Sequence, residues 1–252
     1  MEKSCSRDPL ALAADVGRRI LEAGGETYRA EDAVVRICTA WGFTHSEAFA
    51  TPTGLMASYS ENEQTSRAVV RRIKHRKVDL YRIGRLLELV HQVEQEGWDY
   101  ETLDTQLRLI DNETPYTPQT ILVAAGCSAA FFTLLFEGSM ADALGAFFVG
   151  VGIKILSYTL QRWQLPDFIT TILGGSMVAL ISLALYRIGL VEHLDKTVIG
   201  SIMLMVPGLT TVNAIRDTIA GDLVAGIARL SDAVITAAAL AIGAGAVFTV
   251  LG

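Results

Sequence analysis

Cysteine is scarce in this chain. Cys5, Cys38 and Cys127 are scattered over 252 residues and form no CxxC pair. An odd, unclustered set excludes a disulfide framework and a zinc site. Cys38 and Cys127 are expected as small buried hydrophobes, and Cys5 lacks the apolar stretch that a lipoprotein signal needs. His45, His75, His91 and His193 show no ligand spacing to one another. No GxSxG, HExxH or P-loop pattern occurs, and no nucleophile–base pair is legible. The expectation is therefore a non-enzyme with no cofactor and no metal. Residues 1–10 lack an apolar h-region, so no signal peptide is expected and the N-terminal half should stay in the cytosol. Charge is thin as well, at 19% of residues, where a soluble domain carries about 25%.

Apolar residues are plentiful: 51% of the chain, with a mean hydropathy of +0.37. They are unevenly spread, since 34 of the 48 charged side chains precede Tyr116. The division predicts a cytosolic α+β domain over 1–115 and a transmembrane helical domain over 116–252.

In the first part, Leu12, Val16, Ile20 and Leu21 recur at helical spacing over 9–23, and Gly24-Gly25 stops that helix. Thr27 is placed to cap a second helix over 28–41, ended by Gly42. Residues 49–59 read as a strand or hairpin turning at Thr51-Pro52-Thr53-Gly54. A further strand is expected over 67–73, then helices over 80–96 and 100–110, the last capped by Asp99. The basic run Arg67, Arg71, Arg72, Lys74, Arg76, Lys77, Arg82, Arg85 reads first as a solvated, partly paired face. A surface for anionic lipid comes next. Nucleic acid comes last, because only Tyr81 interleaves.

The second part holds five apolar segments, at 120–136, 141–160, 168–186, 197–206 and 233–251. A cytosolic N-terminus with five crossings puts Gly252 outside; the Lys/Arg bias of the loops is slight. Small residues at four-residue spacing, such as Ala146 with Gly150 and Ala239 with Gly243, let helices approach closely in lipid. The helices are thus built to pack on each other, on a second copy of the chain, or on another protein.

The fourth segment carries the main functional signal. It is too short to span alone and is broken by Pro207-Gly208. Broken segments at membrane depth line a protein or water-filled cavity and mark transporter sites; a helix ending at the interface is the plainer reading. Thr210, Asn213, Asp217 and Gly221 follow on one helical stripe, with Arg216 about 100° away. Lys154 lies on the small-residue face of its segment, either snorkelling to the interface or facing inward toward a carboxylate or Asp217. Gly221-Asp222 reads as a helix stop and a new N-cap, opening a helix over 223–229, and Arg229 as a partner of Asp232.

Residues 205–217, Met-Val-Pro-Gly-Leu-Thr-Thr-Val-Asn-Ala-Ile-Arg-Asp, then Gly221-Asp222 and Gly226-Ile227-Ala228-Arg229, resemble the signature of the threonine/serine exporter family. Gly25-Glu26-Thr27-Tyr28-Arg29-Ala30-Glu31 and Ala50-Thr51-Pro52-Thr53-Gly54 resemble its N-terminal motifs. The resemblance implies a secondary exporter of small metabolites embedded in the bilayer of the bacterial inner membrane. Because the chain stops at Gly252, it also implies the split form of the family, associated with succinate, which needs a second, shorter multi-helix membrane subunit. The substrate-binding residues so marked are Lys154, Pro207, Gly208, Thr210, Asn213, Arg216 and Asp217. The cargo is then a small carboxylate, either a dicarboxylate or an amino acid: a dicarboxylate if Asp217 is tied up, an amino acid if it is free. Against this stand a membrane-anchored scaffold, which has no need of Lys154 or the Pro-Gly break, and a membrane-bound hydrolase, which has no visible catalytic pair.

Overall fold

The computed structural model describes residues 8–62, 65–163 and 165–252; Cys5 lies outside them. The chain divides into two compact units. One comprises Met1–Pro115 with Leu209–Leu230, the other Tyr116–Gly208 with Ser231–Gly252. Composition alone leaves residues 209–230 with the apolar part; in the structure they pack with the charged one.

The first unit begins with α1 (Pro9–Glu22), where the Asp8 side chain accepts the Leu10 amide and Pro9 supplies no donor. Leu10, Leu12, Val16 and Ile20 are completely or almost completely buried. Gly24 takes φ +84° just past the helix, as a C-terminal glycine does. Next comes α2 (Thr27–Ala40). Thr27 does not cap it from outside: it is the first helical residue, Glu26 holds the cap position, and no side chain caps there. The Thr27 hydroxyl is engaged by residues almost two hundred positions away, described below.

Strands β1 (Glu47–Thr51), β2 (Gly54–Asn62) and β3 (Thr65–Arg72) form an antiparallel sheet in that order. Pro52 sits in the two-residue turn of the first hairpin, where its missing N–H leaves no ladder bond unmade. Ala50, Leu55, Ala57 and Tyr59 face the core, and Phe49, Met56 and Val70 lie on the exposed side. Helices α3 (Leu80–Glu96) and α4 (Tyr100–Asn112) follow, with Asp79 and Asp99 accepting the Arg82 and Thr102 amides at their starts. Much of the basic run is paired: Arg71 with Asp15, Arg82 with Asp111, Arg85 with Glu113.

The second unit is built from α5 (Pro118–Leu135), α6 (Met140–Gln161), α7 (Asp167–Arg187) and α8 (Leu194–Ile202). Helix α9 (Gly208–Ile219) belongs to the first unit from Leu209 on, and α10 (Leu223–Leu251) starts there and ends in the second. Four helices, α5, α6, α7 and α10, are long and apolar enough to cross a membrane. The expected fifth span, 197–206, is not one. Helix α8 has nine residues, about 14 Å of rise against a hydrocarbon core of about 30 Å. It gives way to a turn in which Leu204 and Met205 donate to Ser201 and Ile202. Pro207 then brings a residue without an N–H. Nor is 223–229 a separate helix, because α10 runs unbroken for 29 residues.

Phe131, Leu135, Leu144, Phe148, Ile235 and Ile242 are exposed on this unit, as lipid-facing side chains would be. The small residues do the packing. A Cβ at Gly150 would lie 2.7 Å from the Ala125 carbonyl oxygen, and one at Gly175 would lie 2.6 Å from that of Leu240. The Ser176 hydroxyl donates to the Gly243 carbonyl at 3.0 Å. Gly150→Val should therefore destabilise the detergent-solubilised protein by about 1–3 kcal/mol, read as a lower thermal midpoint. Gly245→Ala is the control: its Cβ would meet nothing within 4 Å, and the midpoint should not fall.

Candidate functional site

The Gly24-Gly25 turn closes α1 and leaves two carbonyls pointing away from it. Helix α9 and the start of α10 take both. Asn213 Nδ2 donates to Gly24 O at 3.0 Å, and Arg229 Nη2 donates to Gly25 O at 2.6 Å. The next two residues of the loop are held as well. Arg216 Nη1 donates to Glu26 Oε1 at 2.8 Å, and Arg29 pairs with the other oxygen of Glu26 at 2.8 Å. Asp217 Oδ1 accepts from the Thr27 amide at 3.4 Å and from its hydroxyl at 2.9 Å. Asp217 Oδ2 stands 2.8 Å from Arg229 Nε, an ion pair whose angle is too bent for a proper hydrogen bond.

Residues four apart share a helix face, so Asn213 and Asp217 present one stripe to the loop. Arg216, off that stripe, reaches Glu26 from a half-exposed position. Thr27 and Asp217 are 0% exposed, and Asn213 and Arg229 3%. An ion pair this deep gains little net stability over apolar residues, but removing one partner strands the other charge.

Of the sequence-marked residues, the fold brings Asn213, Arg216 and Asp217 together on this loop, with Thr210 half-buried one turn before Asn213. Lys154, Pro207 and Gly208 belong to the other unit. Lys154 is half-buried on α6, its Nζ 5.4 Å from the Tyr158 ring centroid, within cation–π range. Sequence reasoning missed Glu26, Thr27 and Arg229. Arg229 was expected on Asp232 and instead reaches Asp217. The available signal was the motif around Gly25-Glu26-Thr27, which spacing alone does not connect to a segment 190 residues later.

Burial raises the carboxyl of Glu31, on the next turn of α2, above the usual carboxylate range. Its acceptance of the Ala50 amide acts the other way, and repulsion from Asp222 and Asp217 adds to the rise. Cys38 is fully buried, and its thiol is pushed up to about 11 by burial; it is an inert core residue.

The second unit carries its own charged cluster. Ligand atoms of Asp142, Glu192 and His193 lie within 4.8 Å of one another. Asp142 Oδ1 accepts the Glu192 and His193 amides, and Oδ2 accepts the Ser139 amide and meets His193 Nδ1 at 2.8 Å. Its acceptor capacity is thus used in tying the start of α6 to the start of α8, a structural clamp rather than a vacant coordination set. A cavity of about 580 Å³ adjoins it, lined by Tyr186, Glu192, His193, Val198, Ile199 and Phe248.

Four membrane-length helices, together with an α+β unit whose buried charges hold α9, define an integral membrane protein. Residues 11–251 match the family model described as "Putative threonine/serine exporter", and the chain belongs to that family. It is 23% identical over 245 residues to a "Probable threonine/serine exporter" of Mycobacterium tuberculosis, covering 94% of this chain but only 45% of that protein. It is 22% identical to the "Probable succinate transporter subunit YjjP" of Klebsiella aerogenes, covering 100% of this chain and 97% of that one. A protein of the same printed name from Escherichia coli is 21% identical over 253 residues and 98% of its length. No solved structure matches.

Two outcomes follow from this geometry. Asp217→Asn and Arg229→Gln should each destabilise the first unit by about 3–5 kcal/mol, and the double variant by clearly less than the sum, as thermal or denaturant midpoints would record. Glu31 works in the opposite sense. Its ionisation opposes folding, so the loss is absent below about pH 4 and complete above its raised folded value. Glu31→Gln should accordingly raise the thermal midpoint at pH 8 and leave it unchanged at pH 4.

Proposed function

We propose that this protein is one subunit of a secondary exporter of small carboxylate metabolites, with a dicarboxylate such as succinate as the leading cargo. The carrying observation is that Asp217 is tied up by Arg229. With Asp217 neutralised, no free carboxylate on α9 waits for a cargo ammonium group. The marked cations are then Arg216, whose side chain is 55% exposed beside Glu26, and Lys154. Full-length correspondence to two proteins named as succinate transporter subunits supports the same cargo. The chain spans less than half of its mycobacterial relative; the printed word "subunit" in the names of the other two relatives supports a second, shorter multi-helix membrane subunit. Amino-acid export, named for that relative, is the second reading.

The residues this reading assigns to the cargo are Lys154, Pro207 and Gly208 in the second unit and Thr210, Asn213 and Arg216 in the first. The protein sits in the bacterial inner membrane with residues 1–115 in the cytosol. Helices α6 and α8 start at one end of their unit, joined through Asp142. Placing Gly252 outside requires the 194–207 segment, helix α8 and the turn after it, to complete a crossing beyond the four membrane-length helices.

Efflux from proteoliposomes containing both subunits tests the cargo. Lys154→Ala and Arg216→Ala should each cut succinate efflux at least about tenfold. Parent rates in both, with normal insertion, would contradict the reading. Labelling in intact cells tests the topology. In a background without native cysteines, an impermeant maleimide should label Gly252→Cys and spare Gln95→Cys; equal labelling would refute the arrangement.

A further inference from the structure

The basic run that follows the sheet divides in two in the structure. Arg71, Arg82 and Arg85 are held by Asp15, Asp111 and Glu113. Arg72, Lys74 and Lys77 are exposed, and among the described residues none of the three forms an ion pair. The ten residues 72–81 carry four Lys/Arg and one acid, Asp79, on a chain whose net charge is -6. Asp79 is occupied in capping α3 through the Arg82 amide.

Apolar groups share the segment. Val78, Leu80 and Tyr81 are 52%, 65% and 39% exposed. The backbone beneath them is fastened. The Lys77 and Asp79 amides donate to the Glu22 and Ala23 carbonyls at 2.8 and 3.0 Å, and Ile73 is buried. Cations and apolar side chains are therefore presented together from a fixed edge of the first unit.

The tether from this edge to a membrane helix is short. The Tyr81 hydroxyl donates to Glu113 Oε2 at 3.1 Å, and Arg85 Nη2 meets Glu113 Oε1 at 3.1 Å. Glu113 lies five residues before Pro118, which opens the first membrane-length helix. Five residues reach at most about 18 Å when extended.

We propose that the 72–81 segment is a contact surface for anionic phospholipid. Arg72, Lys74 and Lys77 meet the headgroup phosphates, and Val78, Leu80 and Tyr81 lie at headgroup level. A leaflet of anionic lipid attracts a polybasic segment that lies within a Debye length, and amphipathic aromatic rings favour the interface. Nucleic acid fits less well. Tyr81 is the one aromatic in the segment and its hydroxyl is held by Glu113, so there is no row of rings for bases to stack on. The inference rests on the chain being an integral membrane protein and not on its cargo.

The test uses the full chain in nanodiscs, in a background without native cysteines, with an environment-sensitive fluorophore on Leu80→Cys. Discs of phosphatidylcholine alone are compared with discs that also contain phosphatidylglycerol. The emission should shift to the blue with phosphatidylglycerol. Raising salt to about 1 M, where the screening length is about 3 Å, should reverse most of the shift. Combining Arg72→Gln, Lys74→Gln and Lys77→Gln in one chain should abolish it. The same fluorophore on Gln95→Cys, near the other end of α3, should not respond. The proposal is overturned if Leu80→Cys emits alike in both discs, if the shift survives the triple substitution, or if Gln95→Cys responds equally. It is also overturned if a short duplex oligonucleotide moves the emission in phosphatidylcholine discs while phosphatidylglycerol does not, which would assign the face to nucleic acid. Transport is not measured, so failure here leaves the exporter reading standing.

Discussion

The pairing of Asp217 with Arg229 organises the first unit. Two charges at 0% and 3% exposure are tolerable only if their remaining hydrogen-bonding capacity is met. Thr27 meets it on one side and the Gly25 carbonyl on the other. The turn exposes its carbonyls with Gly24 at a positive φ, and a Cβ at Gly25 would lie 2.9 Å from the Ile20 carbonyl oxygen. The constraint explains why α9, flanked in sequence by apolar helices, packs with the charged unit. Its buried stripe carries Asn213 and Asp217, and the 24–27 loop supplies groups that match them.

The membrane unit obeys a different rule. Lipid gives no hydrophobic drive for helices to associate, so close backbone approach at small residues does the work. Gly150 on Ala125 and Gly175 on Leu240 are such approaches. Helix α8 departs from the pattern because it is too short to span. It is retained by packing on α5, α6 and α7 and by the Asp142 clamp at its start. Non-helical backbone after it, at 203–207, is the kind of feature that membrane proteins keep where it lines protein or a cavity.

Much of the local structure was legible because its causes are local. Periodicity marked α1 and α3, and Asp99 marked the start of α4. Pro52 marked the turn within a stretch read as a strand or hairpin. The misreadings have physical reasons as well. Residues 197–206 are apolar enough to look like a span, but composition does not report where hydrogen bonding changes from helix to turn. Thr27 looked like a cap, since a threonine at a helix start usually serves its own helix; its hydroxyl went instead to two carboxylates brought in by tertiary packing. The same holds for Arg229, whose sequence neighbour Asp232 was the obvious partner and whose structural partner is twelve residues earlier. Long-range polar contacts leave no periodic trace in one sequence, so the candidate site was legible as a set of residues on α9 and not as a joint with the loop at 24–27.

Hydrogen exchange on the full chain tests that joint most directly. Amides in 24–31 and 209–222 should open together, and Asp217→Asn should speed exchange in both segments while leaving 80–112 at parent rates. Faster exchange confined to 209–222, with 24–31 still protected as in the parent, would contradict the account.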